Sequence, residues 1–429
     1  MNILSPVSKS LSNKSREVIM TLIKRKLALV LGTALVTGSL QAASISIENT
    51  APLSNQSIIN IDNWQQQRAA GLDKLEKIMP NVMSVNAQDV YPLEYQATHY
   101  DLYEVPSVKR LIDHPAVASI VVTKGNEVIL EHYKNGYDRA SVFSAQSSTK
   151  TITYMLLNKA LKKGALSMDD KVERYLPDVG PGFRGRTIGN LAAMAVNHNV
   201  AELAAYLGDK QAEEMFDRDE QVIGLRRNDD RETTAQFVKE IDIAPGSTSN
   251  EWTKGHANYA SINTATLGLI VEKATGVPLQ TQVRNLMHRI GGQHTVHMGT
   301  DYAGYPSVSA SMLASTVDFA RYGRLLIEDK KQYENDLEAA KQNGEFVPAE
   351  WHYVDSHYYK SAIFNDYGIG HGGWAGQLIW ADPQSDTVVA IYSQMNAKLP
   401  NPSSHHYKLN NAVIDVVKQL RADQEHGQK

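Results

Sequence analysis

The sequence predicts a mixed α/β protein of the α+β type, in which one antiparallel sheet is flanked by helices. Two strand hairpins lie far apart along the 429 residues, one near residue 120 and the other near residue 385. The stretch between them has a mostly helical pattern. Strands from both ends of a domain can pair in one sheet, which leaves the helical stretch as an inserted subdomain.

Each hairpin is predicted from two apolar runs separated by turn residues. Residues 116–122 and 127–133 are rich in valine and isoleucine and flank Gly125, which favours a tight turn. Residues 377–381 and 387–392 repeat this pattern around a turn that contains Pro383. Both patterns indicate antiparallel strand pairs.

The helices are predicted from apolar periodicity together with capping residues. The expected helices run from Lys150 to Leu161 with a stop at Gly164, from the Thr187 cap to Met194, from Ser261 to Gly276, from Ser315 and Thr316 to Leu326, and from Tyr407 to Leu420. The first of them is expected to be central and buried.

Composition limits the kinds of partner that this chain can bind. Its 43 basic and 47 acidic side chains leave a net charge of -4, so no global positive field attracts nucleic acid or an anionic membrane. A small molecule or short peptide is the expected partner, and the oligomeric state stays open. The chain has no cysteine, which excludes disulfides, a cysteine nucleophile and cysteine-bound metals.

The N-terminal residues have the order of a secretory signal. Basic residues 24–26 precede an apolar run at 27–40 and then Gln41 with the small residues 42–44, and Met20 is a second candidate start. We therefore expect a signal peptide over 1–43 and an exported protein, periplasmic or secreted, with an uncleaved membrane anchor as the alternative. Residues 44–105 are interpreted as an N-terminal extension and residues 106–429 as the main domain.

A Ser-x-x-Lys tetrapeptide at the start of the first predicted helix suggests a nucleophile and its base. Ser147 and Lys150 are about one helical turn apart, so their side chains share a face. A free lysine titrates near about 10.4, and keeping its amine neutral at pH 7 requires burial or charges worth roughly 4.6 kcal/mol. The alternative reading makes Ser147 a helix cap and Lys150 a solvated residue.

Three blocks together resemble the serine β-lactamase and penicillin-binding protein superfamily. The first is residues 143–150, continued by 164–170 and 175–177; the second begins Tyr259-Ala260-Ser261; the third is residues 371–376. The resemblance covers about residues 105–425. It is closest to the class C β-lactamase-like esterases and amidases, which include the 6-aminohexanoate-dimer hydrolases.

The resemblance implies a β-lactamase/transpeptidase-like fold and a serine hydrolase that forms an acyl-enzyme. Ser147 would be the nucleophile, Lys150 its base and Tyr259 a proton relay, and either of the last two could be the base for deacylation. The backbone N-H groups of Ser147 and Trp374 would form the oxyanion hole. No cofactor or metal is implied.

The third block combines small residues with a histidine. Gly372 and Gly373 would allow close approach of a substrate to the strand edge. His371 stands where penicillin-recognising relatives usually have lysine. A mostly neutral histidine can donate a hydrogen bond but holds a carboxylate weakly, which favours an amidase or esterase.

The second block also departs from the family pattern. Ser261 stands where many relatives have asparagine, so a shorter hydroxyl replaces the amide that would contact substrate or lysine. Asn263, further along the same predicted helix, is a candidate to compensate for this replacement.

Other chemistries find little support in the sequence. Gly-x-Ser-x-Gly and His-Glu-x-x-His motifs are absent, and His294 and His297 are interpreted as surface or loop histidines rather than metal ligands. Three alternatives remain open: a β-lactamase, a D-amino-acid peptidase and a catalytically silent homologue that binds peptidoglycan.

Overall fold

The computed structural model describes residues 47–49, 79, 81–95, 102–134, 136–206, 208–225, 230–348, 353, 355–393 and 403–427. All of these residues belong to one compact unit that spans residues 47–429. The predicted signal peptide and the second candidate start, Met20, lie outside the described residues.

A nine-stranded sheet forms the centre of the molecule. Its strands in spatial order are β3 (Glu94–Tyr95), β5 (Glu127–Tyr133), β4 (Val117–Lys124), β14 (Thr387–Ser393), β13 (Gln377–Asp382), β12 (Gly368–Gly373), β11 (Ala362–Asn365), β10 (His357–Tyr359) and β9 (Glu345–Phe346). All neighbouring pairs are antiparallel except β3 and β5.

The two predicted hairpins pair with each other at the middle of this sheet. Strand β14 lies antiparallel to β4, with Ile391 opposite Ile120 and Thr387 opposite Lys124. Their turns also meet, because the N-H of Gly125 donates to the carbonyl of Asp386 at 2.7 Å. The prediction of one sheet built from both ends of the domain is confirmed.

A second sheet was not predicted from the sequence. It has five strands in the spatial order β1 (Ile47–Asn49), β2 (Asn81–Val85), β7 (Val296–Gly299), β8 (Met312–Ser315) and β6 (Val142–Ser144), and all pairs are antiparallel. Part of the segment 44–105 therefore pairs with strands of the main domain.

Helices cover the main sheet and fill the stretch between its two halves. They are α1 (Pro106–Ile112), α2 (Thr151–Lys162), α3 (Ile188–Ala192), α4 (Glu202–Tyr206), α5 (Lys210–Val222), α6 (Thr234–Phe237), α7 (Ser261–Thr275), α8 (Leu279–Ile290), α9 (Thr316–Ile327), α10 (Lys330–Asn343) and α11 (Ser403–Gly427). The five predicted helices are present, although the one capped by Thr187 ends at Ala192, two residues early.

The two faces of the sheet pack against different helices because strand side chains alternate between faces. On one face, Ile120 and Ile391 join a core with Val413 of α11 and Val108 of α1. The other face packs against α9. There Gly323 leaves no room for a side chain, since a Cβ would lie 2.9 Å from Cδ1 of Ile379.

Candidate active site

Ser147 lies in a short 3₁₀ turn, Gln146–Lys150, that connects β6 to α2. The turn begins with Gln146 at a φ of 48°, a left-handed conformation that costs a non-glycine residue about 1 kcal/mol or more. Ser144 holds this bend, because its Oγ accepts hydrogen bonds from the backbone N-H and the side-chain amide of Gln146 at 3.2 and 2.9 Å. The strained bend therefore directly precedes the candidate nucleophile.

Lys150 is fully buried beneath Ser147. Its Nζ lies 3.2 Å from Oγ of Ser147, 2.8 Å from Oγ of Ser261 and 2.9 Å from the carbonyl oxygen of Ser309. The expected contact between Ser147 and Lys150 is present, and the reading of Lys150 as a solvated residue is wrong.

Burial changes the titration of this lysine. Loss of hydration lowers the pKa of Lys150 from 10.5 to about 8, while the nearby Glu202 and Asp219 act in the opposite direction. About one lysine in ten is then neutral at pH 7. A usable fraction of the amine is thus able to accept a proton.

Tyr259 lies against this lysine at the end of the segment that leads into α7. Nζ of Lys150 is 4.7 Å from the centre of the Tyr259 ring, and the tyrosine is 7% exposed. The backbone before it is fixed at two points: the N-H of Ala257 donates to Phe346, and that of Asn258 donates to Met194, both at 2.8 Å. The structure therefore brings the three predicted catalytic side chains together.

The second block contributes Ser261 but not Asn263. Ser261 is the first residue of α7 and its hydroxyl contacts Lys150. The buried amide of Asn263 instead accepts from Nε2 of His198 at 2.9 Å and donates to the sulfur of Met194 at 3.2 Å. Asn263 therefore does not replace the missing asparagine, contrary to the suggestion from spacing.

His371 lies on β12 and is 2% exposed. Its ring centre is 6.0 Å from that of Tyr259 and 5.6 Å from that of Tyr358. Burial, helped by the charge on Lys150, lowers the pKa of His371 to about 3, so the ring is neutral at physiological pH.

The hydrogen bonds of His371 define its tautomer. Nδ1 contacts the carbonyl oxygen of Gly372, which can only accept, so this nitrogen carries the proton. Nε2 is buried, has no hydrogen-bond partner in the described part of the chain, and in this tautomer is an acceptor. The ring N-H that was expected to donate to a substrate therefore donates to the protein backbone.

The glycines of the third block allow β12 to approach the serine turn. A Cβ on Gly373 would lie 2.6 Å from the carbonyl oxygen of Ala145 and 3.0 Å from Cβ of Gln146. A Cβ on Gly372 would collide with the hydroxyl of Tyr353. Both positions therefore require glycine for close packing within the chain, while close approach of a substrate to this strand edge stays a prediction.

Trp374 follows β12 at the turn into β13 and is half-buried. Its carbonyl oxygen accepts from Nε2 of Gln377 at 3.1 Å, and the same nitrogen donates to Ser393 at 2.7 Å. The backbone at Trp374 is thereby tied to β14. Its role in an oxyanion hole stays a prediction.

Sequence reasoning missed several groups around Lys150. The carbonyl of Ser309 and the acids Glu202 and Asp219 come from loops and helices far along the chain. No local motif marks them. Only their shared burial around one amine identifies them.

His294 and His297 have hydrogen-bond partners that could not be identified from the sequence. Nδ1 of His294 lies 3.1 Å from the carboxylate of Asp318, and Nδ1 of His297 lies 2.8 Å from Oγ of Ser84. Within the described parts of the chain, no group of histidine, aspartate and glutamate side chains is arranged to hold a metal ion. Among those same residues, no helix combines the length and apolar character needed to span a membrane.

Comparison with known proteins identifies the family. The sequence model of the beta-lactamase family matches residues 108–413. The chain belongs to this beta-lactamase family. The predicted membership of this superfamily is thereby confirmed, and the protein is a serine hydrolase related to amidases and esterases.

Individual relatives agree with this assignment. The chain is 21% identical to the 6-aminohexanoate-dimer hydrolase of Paenarthrobacter ureafaciens over 84% of its own length and 94% of the relative. A Bacillus anthracis protein provisionally named a 6-aminohexanoate-dimer hydrolase has a similar fold, with a TM-score of 0.67, 19% identity, and coverage of 87% of this chain and 99% of that one.

A further solved structure extends the likeness in fold to an amidase. The D-amino acid amidase of Ochrobactrum anthropi SV3 has a TM-score of 0.54 and 15% identity, and the match covers 76% of this chain and 100% of that one. This β-lactamase/transpeptidase-like fold agrees with the predicted fold class.

Proposed function

We propose that this protein is an amidase or esterase that cleaves a small acyl substrate through an acyl-enzyme on Ser147. The observation that carries the proposal is the set of contacts around Nζ of Lys150. A neutral amine has two N-H groups and one lone pair. The carbonyl of Ser309 can only accept and the hydroxyl of Ser261 lies at 2.8 Å, so these two can take the N-H groups. The lone pair is then left for the Ser147 hydroxyl.

The reaction follows from this arrangement. Oγ of Ser147 attacks the substrate carbonyl carbon while its proton passes to Nζ of Lys150. The bond from carbon to the leaving nitrogen or oxygen then breaks, and Tyr259 relays a proton to the leaving group. Water adds to the acyl-enzyme, releases the carboxylic acid and restores the Ser147 hydroxyl.

The nucleophile is tested by intact-mass analysis after treatment with a fluorophosphonate. We expect one adduct per chain on the wild-type protein, none on Ser147→Ala and much slower labelling of Lys150→Ala. Ser167→Ala is the matched control, because Ser167 is exposed and belongs to a distant loop. An adduct that persists in Ser147→Ala would contradict the proposal.

The role of Tyr259 is tested separately by Tyr259→Phe. This change keeps the ring that packs on Lys150 and removes only the hydroxyl, so substrate binding should be nearly unchanged. Loss of a proton relay should lower kcat about 100-fold or more with little change in KM. A change in KM alone would assign Tyr259 to binding rather than proton transfer.

The neutral His371 favours amides and esters without a carboxylate next to the scissile bond. It supplies no positive charge to hold the carboxylate of a penicillin or of a D-Ala-D-Ala peptide. A panel of simple esters, ω-amino amides, D-Ala-D-Ala peptides and a chromogenic cephalosporin distinguishes these classes. Turnover of the cephalosporin above all others would make β-lactamase the better assignment.

Export also stays a proposal. It rests on the basic, apolar and small-residue order of residues 24–44. We expect the mature protein from a native host to begin near residue 44, which N-terminal sequencing checks. A chain that retains residues 27–40 would favour the anchored alternative.

A further inference from the structure

Asp219 on α5 is a buried acid that the proposed reaction does not use. Its exposed fraction is 0%, and neither carboxyl oxygen makes a geometrically well-formed hydrogen bond with any residue that the structure describes. The N-H of Ile262, in the first turn of α7, lies near enough to favour the ionised form slightly. A buried carboxylate with so little compensation is costly, so its protonation state requires an explanation.

A second acid, Glu202 on α4, lies beside the same helix. Its carboxylate accepts a hydrogen bond from the N-H of Ser261, the first residue of α7. The N-terminal end of a 15-residue helix favours negative charge. Glu202 therefore accepts a hydrogen bond from the first N-H of α7, whereas the oxygens of Asp219 have no such donor among the described residues.

Both acids act on Lys150. Each carboxylate favours the charged form of Lys150, and Lys150 in turn favours the ionised form of Asp219. Burial and the charge of Glu202, with a smaller contribution from Glu220, raise the pKa of Asp219 well above its ordinary value. Among the described residues, the rings of Tyr259 and the neutral His371 also lie near this amine.

Two ionised carboxylates near one buried amine would hold that amine as an ammonium ion. An ammonium ion has no lone pair and cannot accept the proton of Ser147. We propose that Asp219 is a positioning residue that works as a neutral, protonated carboxyl, so that Glu202 alone places negative charge beside Lys150. This inference rests on the proposed function of Lys150 as the base.

Infrared spectroscopy tests the protonation state without using activity. A protonated carboxylic acid has a C=O stretch above the amide I band, where ionised carboxylates do not absorb. We expect this band in wild-type protein at pH 7 and its loss in Asp219→Asn. If Asp219→Asn does not fold, loss of the band in Asp219→Ser assigns the band to Asp219 instead. The proposal is overturned if the band is missing from the wild type or persists in a folded variant.

The rate of fluorophosphonate labelling against pH tests the consequence for Lys150. Glu202→Gln removes the charged neighbour and should move the rise in rate to lower pH by about one unit, which makes labelling at pH 7 about fivefold faster. Asp219→Asn imitates the protonated acid and should stay within about twofold of wild type. Glu214→Gln, exposed on the same helix α5, is the control for charge alone.

The outcomes separate the two proposals. An acceleration in Asp219→Asn as large as that in Glu202→Gln would show that Asp219 is ionised and overturn the inference. A purely structural role for the acids would change the rate without moving the pH profile and would also overturn it. Failure of wild-type protein to label at any pH would instead contradict the proposed function, while the infrared band would still report on Asp219.

Discussion

Lys150 illustrates how a single residue acquires its chemistry from its surroundings. The Ser-x-x-Lys spacing places it near Ser147, but spacing alone leaves its amine charged. Full burial lowers its pKa, and three oxygen neighbours define where its hydrogens point. The base is thus a property of the folded chain, not of the tetrapeptide.

The pH dependence of acylation follows from this burial. Neutral Lys150 is the active form, so the rate should rise with pH, about tenfold per unit, until about pH 8 and then level off. His371 has a pKa of about 3, so no inflection is expected near pH 6.5. The second-order rate of fluorophosphonate labelling between pH 5.5 and 9.5 measures this profile. A rate that is flat between pH 6 and 8 would exclude Lys150 as the base.

At the scale of elements, the site depends on two buried helices and one strand. The turn before α2 supplies Ser147 and Lys150, and the start of α7 supplies Ser261. Eleven of the fifteen residues of α7 are buried, so its apolar pattern runs around the whole helix and it is held on all sides. Strand β12 completes the site by packing directly on the serine turn.

This packing predicts the effect of Gly373→Ala. The new Cβ would lie 2.6 Å from the carbonyl of Ala145, so the serine turn or β12 must move. A displacement of this size should slow labelling about 10 to 100-fold while the fold is retained, as measured by the labelling rate and circular dichroism.

Gly276→Ala is the control for this prediction. Gly276 ends α7 with a φ of 65°, and a Cβ there meets no atom within 4 Å. The change should cost about 1 kcal/mol of stability through the backbone alone and leave labelling intact. If Gly373→Ala and Gly276→Ala are labelled at the same rate, the close packing of β12 on the serine turn does not position Ser147.

At the scale of the whole molecule, the last helix is joined to the central sheet by an ion pair. Arg421 of α11 contacts Asp382 at the end of β13, with distances of 2.7 and 3.0 Å. Asp382 is fully buried. Burial by itself raises its pKa, yet hydrogen bonds from Arg421 and Ser385 hold the pKa below its ordinary value.

Arg421→Met should therefore lower the free energy of unfolding by about 3 kcal/mol, because it leaves a buried carboxylate without its partner. Arg289→Met, which breaks an exposed pair with Glu328, should cost less than about 1 kcal/mol. Urea unfolding at pH 7 measures both.

The stability that the pair of Arg421 and Asp382 contributes should depend on pH. The pair contributes stability above the unfolded pKa of about 3.9 and loses it as pH falls through the lower folded value. The difference in the free energy of unfolding between wild type and Arg421→Met should thus become smaller below about pH 4. Equal losses for the two arginine variants at pH 7 would contradict the structural role of this pair.

The sequence by itself determined the local elements and the three motif blocks. Tight turns, caps and apolar periodicity act over a few residues, so both hairpins and the main helices could be predicted, and the spacing of Ser147 and Lys150 follows from one helical turn. The pairing of the two hairpins was also predictable, because few other partners exist for strands that are buried on both faces.

Only the tertiary structure decided which side chains meet. The second sheet, the turn of Asn263 toward His198, the tautomer of His371 and the two acids near Lys150 all depend on contacts between residues that are distant in sequence. Burial and hydrogen bonding across such distances have no local signature, because they arise when separate elements pack together. The pKa values of the site residues therefore depend on tertiary packing and not on the local motif.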